Sequence, residues 1–385
     1  MNKFILALCA LVFATSMFFA KSASAQDIER NFVGSLQLDY LGVLSESVGR
    51  EQGFDGGTAE VSLKLAVDLN DTYSANVKVC VSCHGMEVGM AFIDARASDL
   101  ANLRVGRFTP QFGSFPLRHD PANHKTSDKP LPYDMGRMLR LREWNMSVLP
   151  APWVDNGLEF SGTYFANDKV RIDYAAYAVG GPKGNNNAID FDFIQSRSRN
   201  QYYVDNNSRP SVGGRLAGSL DINDDLTVSL GTSIMGGTYD PNNELSYFIG
   251  GADLIVQWQR FFWRSEYLIR RTEFFIGDDP ASRFKFGPGE DGTFDNYFLK
   301  DGFYTELEAP VTGDLDLIGR FDGMRRRGNV LANSALSARS SIYRYTGAVA
   351  YNMKAGLRLK ASLEFYQFSD FDNELASHLG VAGSF

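Results

Sequence analysis

In Val61-Ser62-Leu63-Lys64-Leu65-Ala66-Val67-Asp68-Leu69 every odd position is aliphatic, while the even positions carry Ser, Lys, Ala and Asp. Successive side chains on a strand point to opposite faces, so this pattern sets an apolar face against a polar one. Leu357–Phe365 repeats it, as do Val77/Val79/Val81 against Lys78/Cys80/Ser82, Val170/Ile172/Tyr174 against Arg171/Asp173, and Leu226/Val228/Leu230 against Thr227/Ser229. Read along the whole chain, the pattern predicts strands at 32–45, 59–69, 74–83, 86–97, 101–108, 154–167, 169–181, 210–222, 225–239, 245–258, 260–275, 301–312, 314–326, 341–354, 356–369 and 377–385. Many of these are far longer than the five or six residues or so typical of strands in sandwiches and propellers, and no repeat of fixed period appears.

Short polar turns (Leu69-Asn70-Asp71-Thr72, Asn167-Asp168, Ile222-Asn223-Asp224-Asp225 and Gly313-Asp314) join neighbouring strands. They alternate with longer connections rich in Gly, Asn and Asp at about 182–209, 276–299 and 328–339. Short turns on one rim, long loops on the other and an even strand count describe an all-β, transmembrane antiparallel β-barrel of about sixteen strands. The mean hydropathy of −0.22 agrees, because each strand of such a barrel shows lipid only at alternate residues. Aromatic residues at 13% and 37 glycines suit a large sheet with ring girdles and bends. The net charge of −8 comes with no basic block, which argues against nucleic acid as a partner.

Residues 1–25 have one early cation (Lys3), an apolar run from Phe4 to Ala20 and the small triplet Ala23-Ser24-Ala25, the layout of a secretory signal cleaved near Ala25. Residues 26–385 then form the barrel, and the bacterial outer membrane is its expected location. The chain ends on alternating residues closed by Phe385, which resembles the C-terminal signal read by the barrel-assembly machinery.

The stretch Asn102-Leu103-Arg104-Val105-Gly106-Arg107-Phe108-Thr109-Pro110-Gln111-Phe112-Gly113 resembles a segment of the phosphate-selective porin family, with residues 85–113 carrying the likeness. The resemblance implies a sixteen-stranded channel in which Leu103 and Val105 face lipid and Arg104 lines the pore. That family's anion specificity rests on stacked basic lumen residues. Here the expected pore-lining cations Lys78, Arg104, Arg171, Arg264, Arg320 and Arg358 are interleaved with acids, so only the fold is implied. Trimers are frequent in such porins, and a homotrimer in outer-membrane lipid is the corresponding expectation.

Residues 109–153 do not alternate. They hold seven of the thirteen prolines and two of the four histidines, His119 and His124. An irregular stretch this long needs somewhere to pack. Trp144, Met146, Leu149 and Trp153 suit a loop folded into the lumen, as in porins, against the alternative of a solvated surface loop.

Within the 74–97 hairpin lies Cys80-Val81-Ser82-Cys83-His84. In an exported protein C-x-x-C-H is the attachment signature of c-type haem, with two thiols for the vinyl groups and a histidine for the iron. Cys80 and Cys83 are the only cysteines after the signal, the other being Cys9. One covalent haem c is therefore expected on Cys80 and Cys83 with His84 as proximal iron ligand. Candidates for the sixth ligand are His124, His119, Met135 and Met138. A disulfide between the two cysteines, a reduced pair and a zinc site are the alternatives. The arrangement resembles fused cytochrome-porins, although there a small cytochrome segment precedes the barrel and here about two strands do.

Two functions follow. The first is electron transfer at or across the outer membrane, supplied by a periplasmic donor. The second is a general diffusion porin for small polar or ionic solutes with the cysteines as a structural disulfide. No G-x-S-x-G or H-E-x-x-H occurs, and His119-Asp120 is a weak catalytic pair, so no enzyme is expected.

Overall fold

A computed structural model describes residues 30–45, 49–82, 85–134, 147–192, 205–289, 291–353 and 356–384. The expected signal segment and Phe385 lie outside them. The described chain is a closed antiparallel barrel of sixteen strands, each paired with its neighbours in sequence and β1 closing on β16. The strands are β1 (Arg30–Ser45), β2 (Gly49–Asp68), β3 (Tyr73–Ser82), β4 (Gly85–Ser98), β5 (Ala101–Phe108), β6 (Asp155–Asn167), β7 (Val170–Val179) and β8 (Ser211–Asn223). They continue as β9 (Leu226–Thr238), β10 (Ser246–Trp258), β11 (Phe261–Glu273), β12 (Tyr297–Pro310), β13 (Leu315–Arg327), β14 (Arg339–Asn352), β15 (Leu357–Phe368) and β16 (Glu374–Ser384).

Alternation decides the faces. On β15 the odd positions Leu357, Leu359, Leu363 and Phe365 are exposed outward, while Lys360, Ser362, Glu364 and Tyr366 are buried inward. Leu103 and Val105 likewise face out, and Arg104 faces in. An apolar exterior around a charged interior is the reverse of a soluble protein. It is stable where hydrocarbon replaces water outside, because a closed barrel leaves no backbone group unpaired there.

All sixteen expected strands are present, most within two residues of the expected bounds, and three begin three or more residues early. β2 begins at Gly49, ten residues before the expected start, and β12 begins at Tyr297 instead of 301. β16 begins at Glu374 instead of 377.

One rim carries short turns, and side chains set their geometry. Asn70 Oδ1 accepts hydrogen bonds from the amides of Thr72 and Tyr73, both at 2.9 Å. Asn167 Oδ1 does the same for Lys169 and Val170, at 2.9 and 3.0 Å. Such side-chain turns mimic a backbone turn and reverse the chain within a few residues. The strand ends from which the long connections start (Phe108, Val179 and Glu273) lie on the other rim, as do the facing ends of β3 and β4 at Ser82 and Gly85.

Candidate functional site: the lumen and its inserted segment

Between β5 and β6, the described residues 109–134 and 147–154 fold into the barrel, while Trp144 and Met146 lie outside the described residues. Phe112, Phe115, Leu131, Tyr133, Val148 and Ala151 are almost wholly buried, in a cluster shared with wall residues such as Tyr304, Met324 and Ile342. Two single-turn helices, Phe115–Arg118 and Leu131–Tyr133, compact the segment, and prolines at their starts preset the backbone.

An irregular backbone inside a barrel needs partners for its N–H and C=O groups. Charged wall residues supply them. Glu266 on β11 accepts from Ser114 N at 2.9 Å, Ser114 Oγ at 3.1 Å and Phe115 N at 3.3 Å. It also accepts from the hydroxyls of Tyr133 at 2.5 Å and Tyr304 at 3.1 Å. Gly113 lies beside this carboxylate at φ +65°, where a methyl group would sit 2.1 Å from Glu266 Oε1. Only glycine fits there. Asp322 on β13 accepts from Leu131 N at 3.0 Å.

Cations cap the carbonyls. Arg320 donates to Thr126 Oγ1 at 2.8 Å and Asp128 O at 3.0 Å. Arg344 donates to Lys129 O at 2.5 Å, Lys360 to Pro121 O at 2.7 Å and Arg358 to Ala122 O at 2.9 Å. The segment therefore rests on the β11–β15 side. Further contacts span to the opposite side: Asp120 pairs with Lys78 of β3, and Gln111 N donates to Glu159 Oε2 of β6 at 2.9 Å.

Asp128, Glu364 and His378 bring one ligating atom each to within 4.8 Å of one another, all buried. The Arg344 guanidinium lies 3.5 Å from the same Asp128 oxygen and 3.4 Å from the same Glu364 oxygen. It supplies the positive charge that a metal ion would bring, so this cluster holds the segment to the wall. It is not a metal centre.

Each expected pore-lining cation points inward, but they divide into two groups. Arg320 has 0% side-chain exposure and is sealed beneath the segment. Lys78 and Arg264 are also largely covered, the first against Asp120, the second against Glu306 and Glu308, and Arg358 is partly covered by the carbonyls of Ala122 and His124. Arg104 and Arg171 stay in contact with water. Arg104 is 24% exposed, forks onto Asp94 at 2.8 and 3.1 Å, and lies 3.6 Å from Glu159. Arg171 is 51% exposed and pairs with Asp173 at 3.0 Å. The water-accessible wall therefore runs over β4–β9, and its charges sit in opposite-sign pairs. Ser219 and Ser229 on β8 and β9 add hydroxyls to it.

Of the C-x-x-C-H motif, Cys80 is described. It faces the lumen, buried, and a methyl group on Gly89 of β4 would come within 3.0 Å of its sulfur. Cys83, His84, Met135 and Met138 lie outside the described residues. Asp120, bonded to Lys78, also lies 3.2 Å from His119 Nε2. The segment thus brings His119 to the wall that carries Cys80. His119 Nδ1 contacts Pro116 O at 2.6 Å. Burial pushes the His119 pKa down to about 4, with Asp120 opposing and Lys78 adding to the shift. His124 packs against Phe115, and Arg358 of β15 reaches its carbonyl at 3.4 Å.

No protein-family model matches the chain. No curated protein matches it either. Solved structures do match in fold. The outer membrane channel DcaP of Acinetobacter baumannii is 10% identical, with 94% of this chain and 99% of that chain covered and a TM-score of 0.57. A loop L8 deletion mutant of OmpT, an outer membrane protein of Vibrio cholerae, is 11% identical over 93% and 99%, with a TM-score of 0.55. Salmonella typhi OmpF in complex with daunomycin is 10% identical over 93% and 98%, at 0.53. The chain has the fold of these outer-membrane porins.

Proposed function

We propose that this protein is an outer-membrane channel through which small polar and ionic solutes diffuse, with the inserted segment setting its width. The long-connection rim faces outward from the cell and the short turns face the periplasm. The observation that carries this reading is the division of the lumen. Charged residues of β11–β15 are consumed in holding the inserted segment at residues 113–134, whereas the β4–β9 wall keeps solvated polar side chains such as Arg104, Arg171 and Asp173. Paired charges along that wall leave little net field, so discrimination between cations and anions is weak. Neighbours of the same fold include OmpT in a trimer form, and a homotrimer is part of the proposal. Planar-bilayer recording together with swelling of sugar-loaded liposomes tests it. Stepwise conductance and uptake that falls with solute size are expected, and a protein that inserts but conducts nothing overturns the reading.

A second reading rests on Cys80 facing the lumen, on the same wall to which Asp120 and Lys78 bring His119. We propose that Cys80 and Cys83 hold one haem c through thioethers, with His84 on the iron and His119 ahead of His124, Met135 and Met138 as the further ligand. Such a group supplies one-electron transfer. Attachment adds each S–H across a vinyl double bond and needs no oxidant. A haem-stained denaturing gel of protein made in a host with attachment machinery shows a covalent band on this reading. No band, with thiols that label only after reduction, shows the disulfide and leaves the diffusion channel alone.

A further inference from the structure

The exterior wall over β11–β15 has a patterned surface that a uniformly greasy barrel does not need. Cross-strand pairing arranges its outward residues in rows. A row near the long-connection rim, one step inside the Glu273–Tyr297 pair, holds Arg271, Leu299, Arg327 and Arg339. The next holds Ile269, Asp301, Arg325 and Ser341, and a third holds Tyr267, Phe303, Gly323 and Tyr343. Below them lies an outward groove of about 840 Å³, walled by Trp263, Leu307, Phe321, Tyr345, Leu363 and Phe365. Its floor is Gly319 and Gly347, which pair directly, and a Cβ on either would meet nothing within 4 Å. The depression exists because both facing positions lack side chains.

The charge above the groove is unbalanced. Asp301 takes Arg325 and the Tyr267 hydroxyl, the latter at 3.0 Å, and Glu273 takes Arg271 at 2.8 Å. Arg327 and Arg339 lie opposite each other and, among the described residues, have no ion-pair partner. Two neighbouring guanidiniums on the outer surface of a membrane barrel repel each other and favour a shared anion. Arginine forks bind phosphate oxygens bidentately. Tyrosines between the cations and the groove mark the usual depth of the interface between headgroups and chains.

We infer that this wall holds one molecule of a phosphorylated, acylated lipid of the outer leaflet. Its phosphate lies across Arg327 and Arg339, and one acyl chain fills the channel over Gly319 and Gly347. The inference rests on the proposed membrane orientation but not on conduction. Charge complementarity selects an anionic lipid over a neutral one, and the glycine floor selects a lodged chain over general solvation.

The test is native mass spectrometry of the purified full-length protein, released from neutral detergent with lipid A (a bisphosphorylated, multiply acylated glucosamine disaccharide) as the probe. The wild type should retain one lipid A. The double variant Arg327→Glu/Arg339→Glu should lower the retained fraction at least tenfold, and dephosphorylated lipid A should behave as poorly on the wild type. Gly319→Leu/Gly347→Leu fills the floor into open space and should also weaken retention, with the folded band on unheated gels and the bilayer conductance unchanged. Equal retention by the charge-reversed variant, or equal binding of the dephosphorylated lipid, overturns the inference. So does a change of oligomeric state in the glycine variant, which would mean that a second copy covers the groove. A barrel that keeps lipid A but does not conduct overturns the channel reading instead.

Discussion

Removing the Glu266 carboxylate should release one end of the inserted segment without unfolding the barrel. Glu266 accepts from two backbone amides and three hydroxyls, all at 2.5 to 3.3 Å, and its side chain is buried. A hydrogen bond to a charged group contributes about 1.5–3 kcal/mol. The five share one carboxylate and do not add, so breaking such a buried network costs about 3–4 kcal/mol in all. Each 1.4 kcal/mol or so is a factor of ten, so Glu266→Ala should raise the population with the segment released by roughly a hundredfold to a thousandfold. The strand ladders do not depend on Glu266, so the temperature at which the folded band disappears on gels should move little. Two measurements read the effect: cleavage of residues 109–154 by an added protease in detergent, and single-channel recording. Cleavage should accelerate by about the population factor, and the open level should become larger and noisier. Glu266→Gln keeps an acceptor oxygen but turns an amide donor toward the tyrosines, which can rotate to accept, so its effect should be smaller. If Glu266→Ala shows wild-type cleavage and wild-type conductance, the segment is held by its apolar packing alone and the electrostatic account of the lumen is wrong.

Three further outcomes follow from the same contacts. Gly113→Ala should reproduce the Glu266→Ala phenotype, because the added methyl group meets both the carboxylate and the Tyr133 hydroxyl at under 2.5 Å; wild-type protease resistance in that variant would contradict it. Burial lowers the His119 pKa from its ordinary 6.5 to about 4, so the released segment takes up a proton that the packed one does not. Packing is thus fully stable above about pH 6.5, weakens as the pH falls toward 4, and is favoured roughly thirtyfold less at pH 5. Protease cleavage across that range should show the trend, and His119→Gln should flatten it. Arg104→Gln leaves Asp94 and Glu159 without their cation on the water-accessible wall, so the reversal potential in a salt gradient should move toward cation preference, and an unmoved potential would show that ions pass elsewhere.

The barrel was legible because its signal is local. Alternation over Val61–Leu69 or Leu357–Phe365 needs only neighbours in the chain, and it settled which side of each strand meets lipid. The same parity puts the six cations on the face opposite the apolar one. The misjudged strand starts occur where alternation fails. The first part of β2, around Gly49–Thr58, is a glycine-rich and acidic stretch that becomes a strand only because β1 pairs with it across Asp39–Ser45. Which inward cation meets water was not legible, because it is decided by residues far away in sequence. Arg320 is sealed by Thr126 and Asp128, nearly two hundred positions earlier, and Arg171 is not sealed at all. Glu266, Asp322 and Arg344 went unremarked for the same reason. Each is one more polar residue at an inward position, and only its contact with the inserted segment distinguishes it.

That contact also explains how so many charges can be buried in the lumen. A buried ion is costly unless other groups satisfy it. Here the satisfying groups are the amides and carbonyls of an irregular segment, which are themselves costly to bury unpaired. Wall and segment each offset the other's desolvation, and with the segment gone water takes over that role for the wall. A sequence change that removed the segment would therefore leave Glu266, Arg320, Asp322 and Arg344 facing a wide water-filled bore. Conductance would rise and discrimination by size would fall, while the β4–β9 wall kept its paired charges. On this account the segment sets the width of the passage, and the opposite wall sets its weak charge preference. The two properties should then separate cleanly in variants of one or the other.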